Sequence, residues 1–508
     1  MARKRVLRLT AAEQQATTTE APAPTRGRRR KAAMPAARIR VRMYRQGLGD
    51  CFLVSLLPAE GAPFHLLIDC GVILGTSNAA ATLQQVVQDI IATTGGETKE
   101  GFVDVLAVTH EHYDHVAGFV LARDLFAPAG KRTAGKLAVG EVWFAWTEDP
   151  ANATASRLRE SRAARLKALS ALAARVQGMG AAPAADVSDA LRFFGIGADG
   201  AGQGTTALAM RNAASLAPPD GVVYRHPGEA FTLAGAPGLK FYVLGPPEDE
   251  KALRRTDSST EVYHLDSGDL DATVARLAGL AGDLGDDADQ PFEPAYTHRL
   301  SDLRDAARTG ALAEFLAKNY FGPTQATPES DQSWRRIDGD WLAGAEQLAL
   351  ALDGATNNTS LVLAIEIAAS GKVLLFPADA QVGNWLSWQS VTCGSGAAAV
   401  TGPELLRRTV FYKVGHHGSH NATLKEHGLE AMTSPDLVAF IPVDHAMAVK
   451  KRWGRMPLPE LVDALNERTH GRVVRIDEDL PAGLGAVTAG PPGGPLGALW
   501  YEWTLPLD

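Results

Sequence analysis

The stretch Thr109-His110-Glu111-His112-Tyr113-Asp114-His115 decides how this chain is read. The preceding residues, 103–108, have the length and apolar content of a short buried strand, so the histidines stand where a strand runs out. From such a loop the alternate residues His110 and His112 can point the same way, toward one cation. Asp114 and His115 then turn toward a second point a few ångströms away. Neutral imidazole and carboxylate suit borderline divalent ions, zinc first, with manganese or iron after it.

Histidine is scarce, 13 in 508 residues, yet six of the 13 fall in this segment and in His416, His417 and His420. The second segment also follows an apolar run, 409–414. Carboxylates occupy the same kind of place: Asp69 follows the run 64–68, and Asp379 follows a hairpin spanning 360–376. Asp50 ends the turn Gln46-Gly47-Leu48-Gly49-Asp50, and His445 comes after a run at 437–441. Polar residues collected at strand ends are how α/β folds build sites.

Outward from these segments the chain divides unevenly. Residues 1–38 are rich in Ala, Thr, Pro and Arg without periodicity and read as a disordered basic arm. Residues 39–480 read as one α/β domain, starting with alternation at 39–43 and a helical spacing at 80–92. Between about 150 and 345 the strand rhythm lapses. This mostly helical insertion contains an amphipathic stretch with a basic face at 156–179, one strand candidate at 240–244 and an acidic run at 266–289. Helical spacing recurs at 300–319, 341–352 and 457–466. Residues 481–508 form a terminal strand extension on the same domain.

The formal charge of −8 conceals an asymmetry. Residues 1–42 carry twelve Lys/Arg against Glu13 and Glu20, a net of +10, which leaves −18 on the remainder. An acidic body is a poor general attractor for nucleic acid, whereas the arm suits an anionic partner or is simply a solvated tail. Cys51, Cys70 and Cys393 have no metal or disulfide spacing. No apolar run is long enough to span a membrane and no secretory pattern follows the N-terminal charges, so a soluble cytoplasmic protein is expected.

The segment 109–115 resembles the signature of the metallo-β-lactamase superfamily, and Asp69, Asp379 and a later histidine follow in the order of its landmarks. Gln46-Gly47-Leu48-Gly49-Asp50, Asn358-Thr359-Ser360 and His416-His417-Gly418-Ser419 look most like the hydrolase domain of bacterial DNA-internalisation (competence) proteins. Bacterial phosphorylcholine esterases share similar features. The resemblance covers about residues 39–125 and 355–480. It implies an αββα sandwich, two mixed sheets with helices outside, and two divalent metal ions at the sheet edges. His110 and His112 would hold the first, Asp114 and His115 the second, and Asp379 would bridge them with an oxygen for each. Either His416 or His417 would complete the second site, the other lying within reach of substrate. Asp50 and Asp69 would orient the imidazoles.

Two departures stand out. Many members place a further histidine on the first metal; here that interval holds His226, His264 and His298, with His226 the best placed. Without it the first site is open or water-filled. Pro377-Ala378-Asp379 stands where Gly-Asp is usual, and His445 is the alternative terminal ligand by analogy with ribonuclease Z-like relatives.

The expected activity is metal-dependent hydrolysis of a phosphodiester or related ester by a metal-bridging hydroxide. Asp114, His416, His417 and His420 are the catalytic candidates, a spare histidine protonating the leaving group. Ser419 and the Gly418 amide would meet a substrate oxygen. The acidic body favours a small phosphoester or nucleotide; nucleic acid would need the arm or the basic helix at 156–179. The competing expectation is a non-catalytic binding or regulatory protein that keeps the fold.

Overall fold

The computed structural model describes residues 37–178, 191–192, 194–196, 206–256, 311–321, 352–451, 453 and 455–507. The arm at 1–36, the acidic run at 266–289, His264, His298 and the helical spacing at 341–351 lie outside these residues.

The chain is α/β, with two mixed sheets as its main frame. The first contains β1 (Arg38–Tyr44), β2 (Phe52–Leu57), β3 (Phe64–Ile68), β4 (Gly101–Ala107), β5 (Leu137–Ala145) and β6 (Val222–Arg225). The second contains β7 (Ala230–Phe231), β8 (Leu239–Gly245), β9 (Val362–Ile367) and β10 (Lys372–Phe376). A separate small pair, β11 (Thr392–Cys393) and β12 (Val400–Thr401), intervenes before the second sheet resumes. It resumes with β13 (Thr409–Lys413), β14 (Val438–Ile441) and β15 (Val473–Arg475). The chain then returns to the first sheet with β16 (Val487–Ala489) and β17 (Trp500–Pro506).

Period-two patterning explains how the sheets meet. Ile39, Val41 and Met43 on alternate positions of β1 join Phe52, Leu66, Phe241, Leu363, Leu374 and Phe411 in one buried cluster drawn from both sheets. Phe52 packs edge-on against Phe376 at 6.0 Å, and Phe411 lies 5.4 Å from Trp503. Each such side chain removed from water stabilises the fold by roughly 1.5–3 kcal/mol. The outer faces are covered by helices. α1 (Ala79–Gly95) buries Leu83, Val86, Val87, Ile90 and Ile91, a helical stripe, against Leu53, Leu67 and Leu106. On the other side the helices Gly402–Arg407 and Pro459–Thr469 bury Leu405, Leu406, Leu461 and Leu465 near Leu375 and Tyr412.

The middle of the chain contributes more to this frame than its sequence suggests. β6 extends the first sheet, and β7 and β8 begin the second, so the described part of the stretch carries three strands where one or two are expected. Two of them have only four and two residues, too short for alternation to register. Two short helices, α2 (Tyr113–Val116) and α3 (Gly118–Leu121), precede the basic helix, which is present as α4 (Ala153–Gly178).

Strand directions place the polar residues together. β3 and β4 run parallel, as do β10 and β13, while β2 is antiparallel to β3 and β9 to β10. The ends of β3, β4, β10 and β13 and the starts of β2 and β9 therefore share one edge of the sheets. Asp50, Asp69, His110, Asp379 and His416 are the residues at those ends.

Candidate metal centre

The 109–115 loop takes its shape from the short helix at its end. His112 is the extended N-cap of α2 (Tyr113–Val116), and one helical turn sets Asp114 and His115 side by side. Their backbone is pinned from below: the Asp50 amide donates to Asp114 O and the Cys70 amide to His115 O. A side chain at Gly49 would meet Asp114 O at 2.6 Å and Gly71 O at 2.7 Å, so glycine is needed for this approach.

Asp69, fully buried, accepts from the Thr109 amide at 2.8 Å and the Thr109 hydroxyl at 2.6 Å. Its Oδ2 also faces His115 Nδ1 at 2.8 Å, which keeps the proton there and turns Nε2 toward the cluster. His417 is set the same way: Nδ1 donates to Pro442 O at 2.9 Å, leaving Nε2 to face inward. That nitrogen lies 2.9 Å from Asp114 Oδ2 and 3.6 Å from Asp379 Oδ2. His115 Nε2 is 3.2 Å from Asp379 Oδ2 and 4.0 Å from Asp114 Oδ2. Four donor atoms from three loops thus surround one point.

Asp50, His115, Asp379 and His417 offer ligand atoms all within 4.8 Å of one another, every residue buried, and such a cluster can hold a metal ion. The fit is chemical as well as geometric. Asp50, Asp114 and Asp379 bring three carboxylates together with the imidazoles of His115 and His417 and the ammonium of Lys413, a donor set suited to a cation. Asp114 Oδ1 and Asp50 Oδ1 are buried with no hydrogen-bond partner among the described residues.

Electrostatics separate the histidines. Burial pushes His115 and His417 toward neutrality, but the surrounding carboxylates, Asp379 foremost, prevail and raise both above the ordinary imidazole range. Burial likewise opposes ionisation of Asp379; His115, Lys413 and His417 reverse it and hold the carboxyl well below its usual value. His110 is driven well below its ordinary value by burial and by its histidine neighbours. Burial takes His112 down to about 3 and His416 to about 4. Neutral imidazoles are the form that binds metal. His110 Nε2 and His112 Nδ1 stand 3.1 Å apart, and His110 Nδ1 lies 3.1 Å from the Thr109 hydroxyl.

No family model matches the chain, and no curated protein matches it.

Among the sequence candidates, then, His110, His112, Asp114, His115, Asp379, His416 and His417 come together, with Asp50 and Asp69 beside them. The geometry also distinguishes His416 from His417. His417 is at the centre; His416 Nε2 is 4.0 Å from Asp379 Oδ2, with a side chain 10 % exposed. His416 Nδ1 lies 2.9 Å from the Ser419 hydroxyl, which itself donates to Asn421 Oδ1 at 3.0 Å. Ser419 therefore holds His416 in its orientation. His420 is partly buried just beyond.

His226 and His445 are placed otherwise. His226 Nδ1 pairs with Glu248 Oε1 at 2.8 Å, and its ring, 39 % exposed, stacks on Trp146. His445 Nδ1 donates to Met456 O at 2.8 Å at the start of a helix. Asp379 Oδ1 accepts from Lys413 Nζ at 3.1 Å, and Oδ2 is the oxygen facing the histidines. Ala378 adopts φ 52, a left-handed conformation that favours glycine, and its carbonyl accepts from Lys413 Nζ at 2.8 Å. His416 and His417 share that conformation, at φ 42 and φ 53. Backbone strain of this kind persists where surrounding structure fixes it, commonly at functional sites.

Four contributors escape sequence reading. Lys413 sits inside a hydrophobic strand, reaches Asp50 Oδ2 at 2.6 Å and is almost fully buried. Glu111, between two histidines, accepts from Arg162 Nη2 at 2.5 Å and from the Thr206 hydroxyl at 3.0 Å. Arg162 belongs to α4 (Ala153–Gly178) and also pairs with Glu148 at 3.1 Å, so the insertion clamps the histidine loop. Asp353, half-buried before β9, lies 3.7 Å from His112 Nε2.

Proposed function

We propose that this chain is a binuclear-metal-dependent hydrolase of the metallo-β-lactamase fold, acting on a phosphodiester or related ester. The observation that carries the reading is the convergence of His115 and His417 Nε2 with Asp114 and Asp379 Oδ2 at 2.9–4.0 Å, beside the His110–His112 pair. The helix–sheet–sheet–helix layering, with all donors at one sheet edge, supports the fold reading. Zinc best suits the imidazole-rich donors, with manganese or iron as alternatives.

Asp114, His115, Asp379 and His417 would hold one cation, and His110 and His112 the other. When bound, such ions polarise an ester oxygen and make a water molecule acidic near neutral pH. The chain's own residues do the rest. Asp69 and the Pro442 carbonyl hold His115 and His417 in the tautomers that present Nε2 inward. Lys413 holds Asp379 by one oxygen and Asp50 by another. His416, neutral and at the cluster's margin, would accept a proton at Nε2 from an attacking water as general base, with Ser419 Oγ accepting from its Nδ1.

A small phosphoester or nucleotide fits the site's setting better than nucleic acid. Arg159 and Arg162, on the basic face of α4, are engaged internally: Arg159 donates to Thr147 O and Asp149 O, and Arg162 to Glu111 and Glu148. Elemental analysis of purified protein, paired with hydrolysis of bis-p-nitrophenyl phosphate, tests the assignment. About two metals per chain, lost together with diesterase activity in Asp379→Ala, is the expected result. Wild-type protein that stays metal-free and inactive after Zn²⁺ or Mn²⁺ addition would overturn it in favour of a non-catalytic binding protein.

A further inference from the structure

An imidazole that gives one nitrogen to a metal ordinarily donates from the other to a fixed acceptor. Three of the proposed ligands have that acceptor on Nδ1. His110 Nδ1 lies 3.1 Å from the Thr109 hydroxyl, His115 Nδ1 2.8 Å from Asp69 Oδ2 and His417 Nδ1 2.9 Å from Pro442 O. His112 is turned the other way. Its Nδ1 faces His110 Nε2 at 3.1 Å, so Nδ1 is the nitrogen turned to the first metal position and Nε2 is the outward one. The carboxylate that Nε2 faces is Asp353. Its Oδ1 stands 3.7 Å away, buried and with no hydrogen-bond partner among the described residues. Asp353 lies in the short helical segment 352–357 that leads into β9. Its other oxygen, Oδ2, accepts from Asn357 Nδ2 at 3.2 Å, one helical turn on, which leaves Oδ1 for the histidine. Phe194 packs edge-on against His112 at 5.1 Å and limits that ring's movement.

We infer that Asp353 is a positioning residue acting through His112: its Oδ1 accepts the Nε2 proton, which leaves the Nδ1 lone pair for a cation. The inference rests on the two-metal reading above. The 3.7 Å separation exceeds a hydrogen bond by about 0.8 Å, and hydrogen bonds that serve the loaded state are commonly long before loading. Where the acceptor is missing, the proton divides between the two ring nitrogens, and the share on Nδ1 must leave before a cation binds. Asp353 thus does for His112 what Asp69 does for His115 and the Pro442 carbonyl for His417. The segment leading into β9 becomes part of the metal site without supplying a ligand.

The test locates the His112 proton by heteronuclear nitrogen NMR of the full chain labelled on histidine, the resonance being assigned by its loss in His112→Gln. Asp353→Asn keeps an oxygen that can accept from Nε2; Asp353→Leu is similar in size and offers none. Metal-free wild type and Asp353→Asn should carry the proton on Nε2, whereas Asp353→Leu should show both nitrogens at averaged shifts. Zn²⁺ titration should find about two ions per chain, one of them bound about 10–100-fold more weakly in Asp353→Leu than in Asp353→Asn. Wild-type His112 with its proton on Nδ1 overturns the inference. So does affinity lost in Asp353→Leu with the proton unmoved, which is a packing effect, or a variant that matches wild type in both readouts. Should Asp353→Leu fail to fold, the wild-type and Asp353→Asn spectra decide, a proton on Nδ1 in either being the contrary result. Wild type that binds no ion removes the two-metal reading itself, while the metal-free spectra still decide what Asp353 does to His112.

Discussion

Lys413 Nζ stands 3.1 Å from Asp379 Oδ1, so the protein holds one oxygen of the central carboxylate with a charge of its own. The same ammonium lies 2.6 Å from Asp50 Oδ2, and burial of all three leaves water little part in the arrangement. Removing one partner of a buried ion pair costs about 3–5 kcal/mol because the other charge stays behind. Lys413→Met should lower stability by about that amount in urea denaturation of metal-free protein, with part of the loss recovered when Zn²⁺ is added. A change under about 1 kcal/mol would show that the two carboxylates do not depend on Lys413.

His416 and His417 are neighbours with different duties, and their alanine variants should separate. His417→Ala is expected to lose a metal ion, since its Nε2 lies among the donors. His416→Ala should keep full metal content while turnover falls by roughly 10²–10⁴, the range of a lost general base. Elemental analysis beside steady-state kinetics reads both, and equal metal loss in the two variants would contradict the division.

Arg162 ties the insertion to the histidine loop through Glu111 and Glu148, with all three side chains largely buried. Arg162→Met leaves two carboxylates without their cation. Stability should fall by about 3–5 kcal/mol, and metal affinity should weaken because Glu111 sits between His110 and His112. Unchanged affinity would mean that the loop keeps its shape without the clamp.

Acid should destabilise the protein through a residue remote from the metal cluster. His65 lies 2.9 Å from the Ser55 hydroxyl, and burial, with Arg40 and Arg42 adding to it, depresses its value from 6.5 to about 4. Between those values the unfolded chain binds a proton that the folded one refuses. Stability therefore falls as pH drops through that window, by up to about 3 kcal/mol. Urea denaturation from pH 7 to pH 4 should show this slope, and His65→Asn should flatten it.

Metal uptake should also release protons. The raised values of His115 and His417 in metal-free protein mean that their protonation stabilises the fold fully below about pH 6.5, the contribution fading as pH rises through the folded values. A cation bound to the same nitrogens must displace those protons. Calorimetric titrations near pH 6.5 in buffers of different ionisation enthalpy should report a positive proton release. Binding heats independent of buffer would show that both imidazoles are already neutral.

How far the site could be read from sequence depended on where each residue stood. The histidines and Asp69, Asp114 and Asp379 follow apolar runs, so strand ends announced them. Lys413 lies within such a run, where its neighbours Phe411 and Tyr412 mark strand and nothing marks a buried charge. Asp353 has no motif; only the path of the chain into β9 brings it to His112. The Arg162–Glu111 pair joins positions 51 residues apart, beyond any local pattern. The choice between His416 and His417 turned on which imidazole met the Pro442 carbonyl, a contact across 25 positions that depends on β14 lying beside β13. His226 sits in a loop between β6 and β7, and an exposed glutamate engages it there.

The first sheet closes with a strand from near residue 506. β17 lies between β16 and β1, and Glu502 takes the Arg42 guanidinium at 2.9 Å across 460 positions of sequence. On the ribosome, β1 must wait with one edge unpaired until residues 500–506 emerge, on the order of a minute at ordinary elongation rates. An open edge is a template for another chain's strand. Nascent chains therefore carry an open strand edge from the time β1 is made until residues 500–506 emerge and seal the sheet that carries the 109–115 loop.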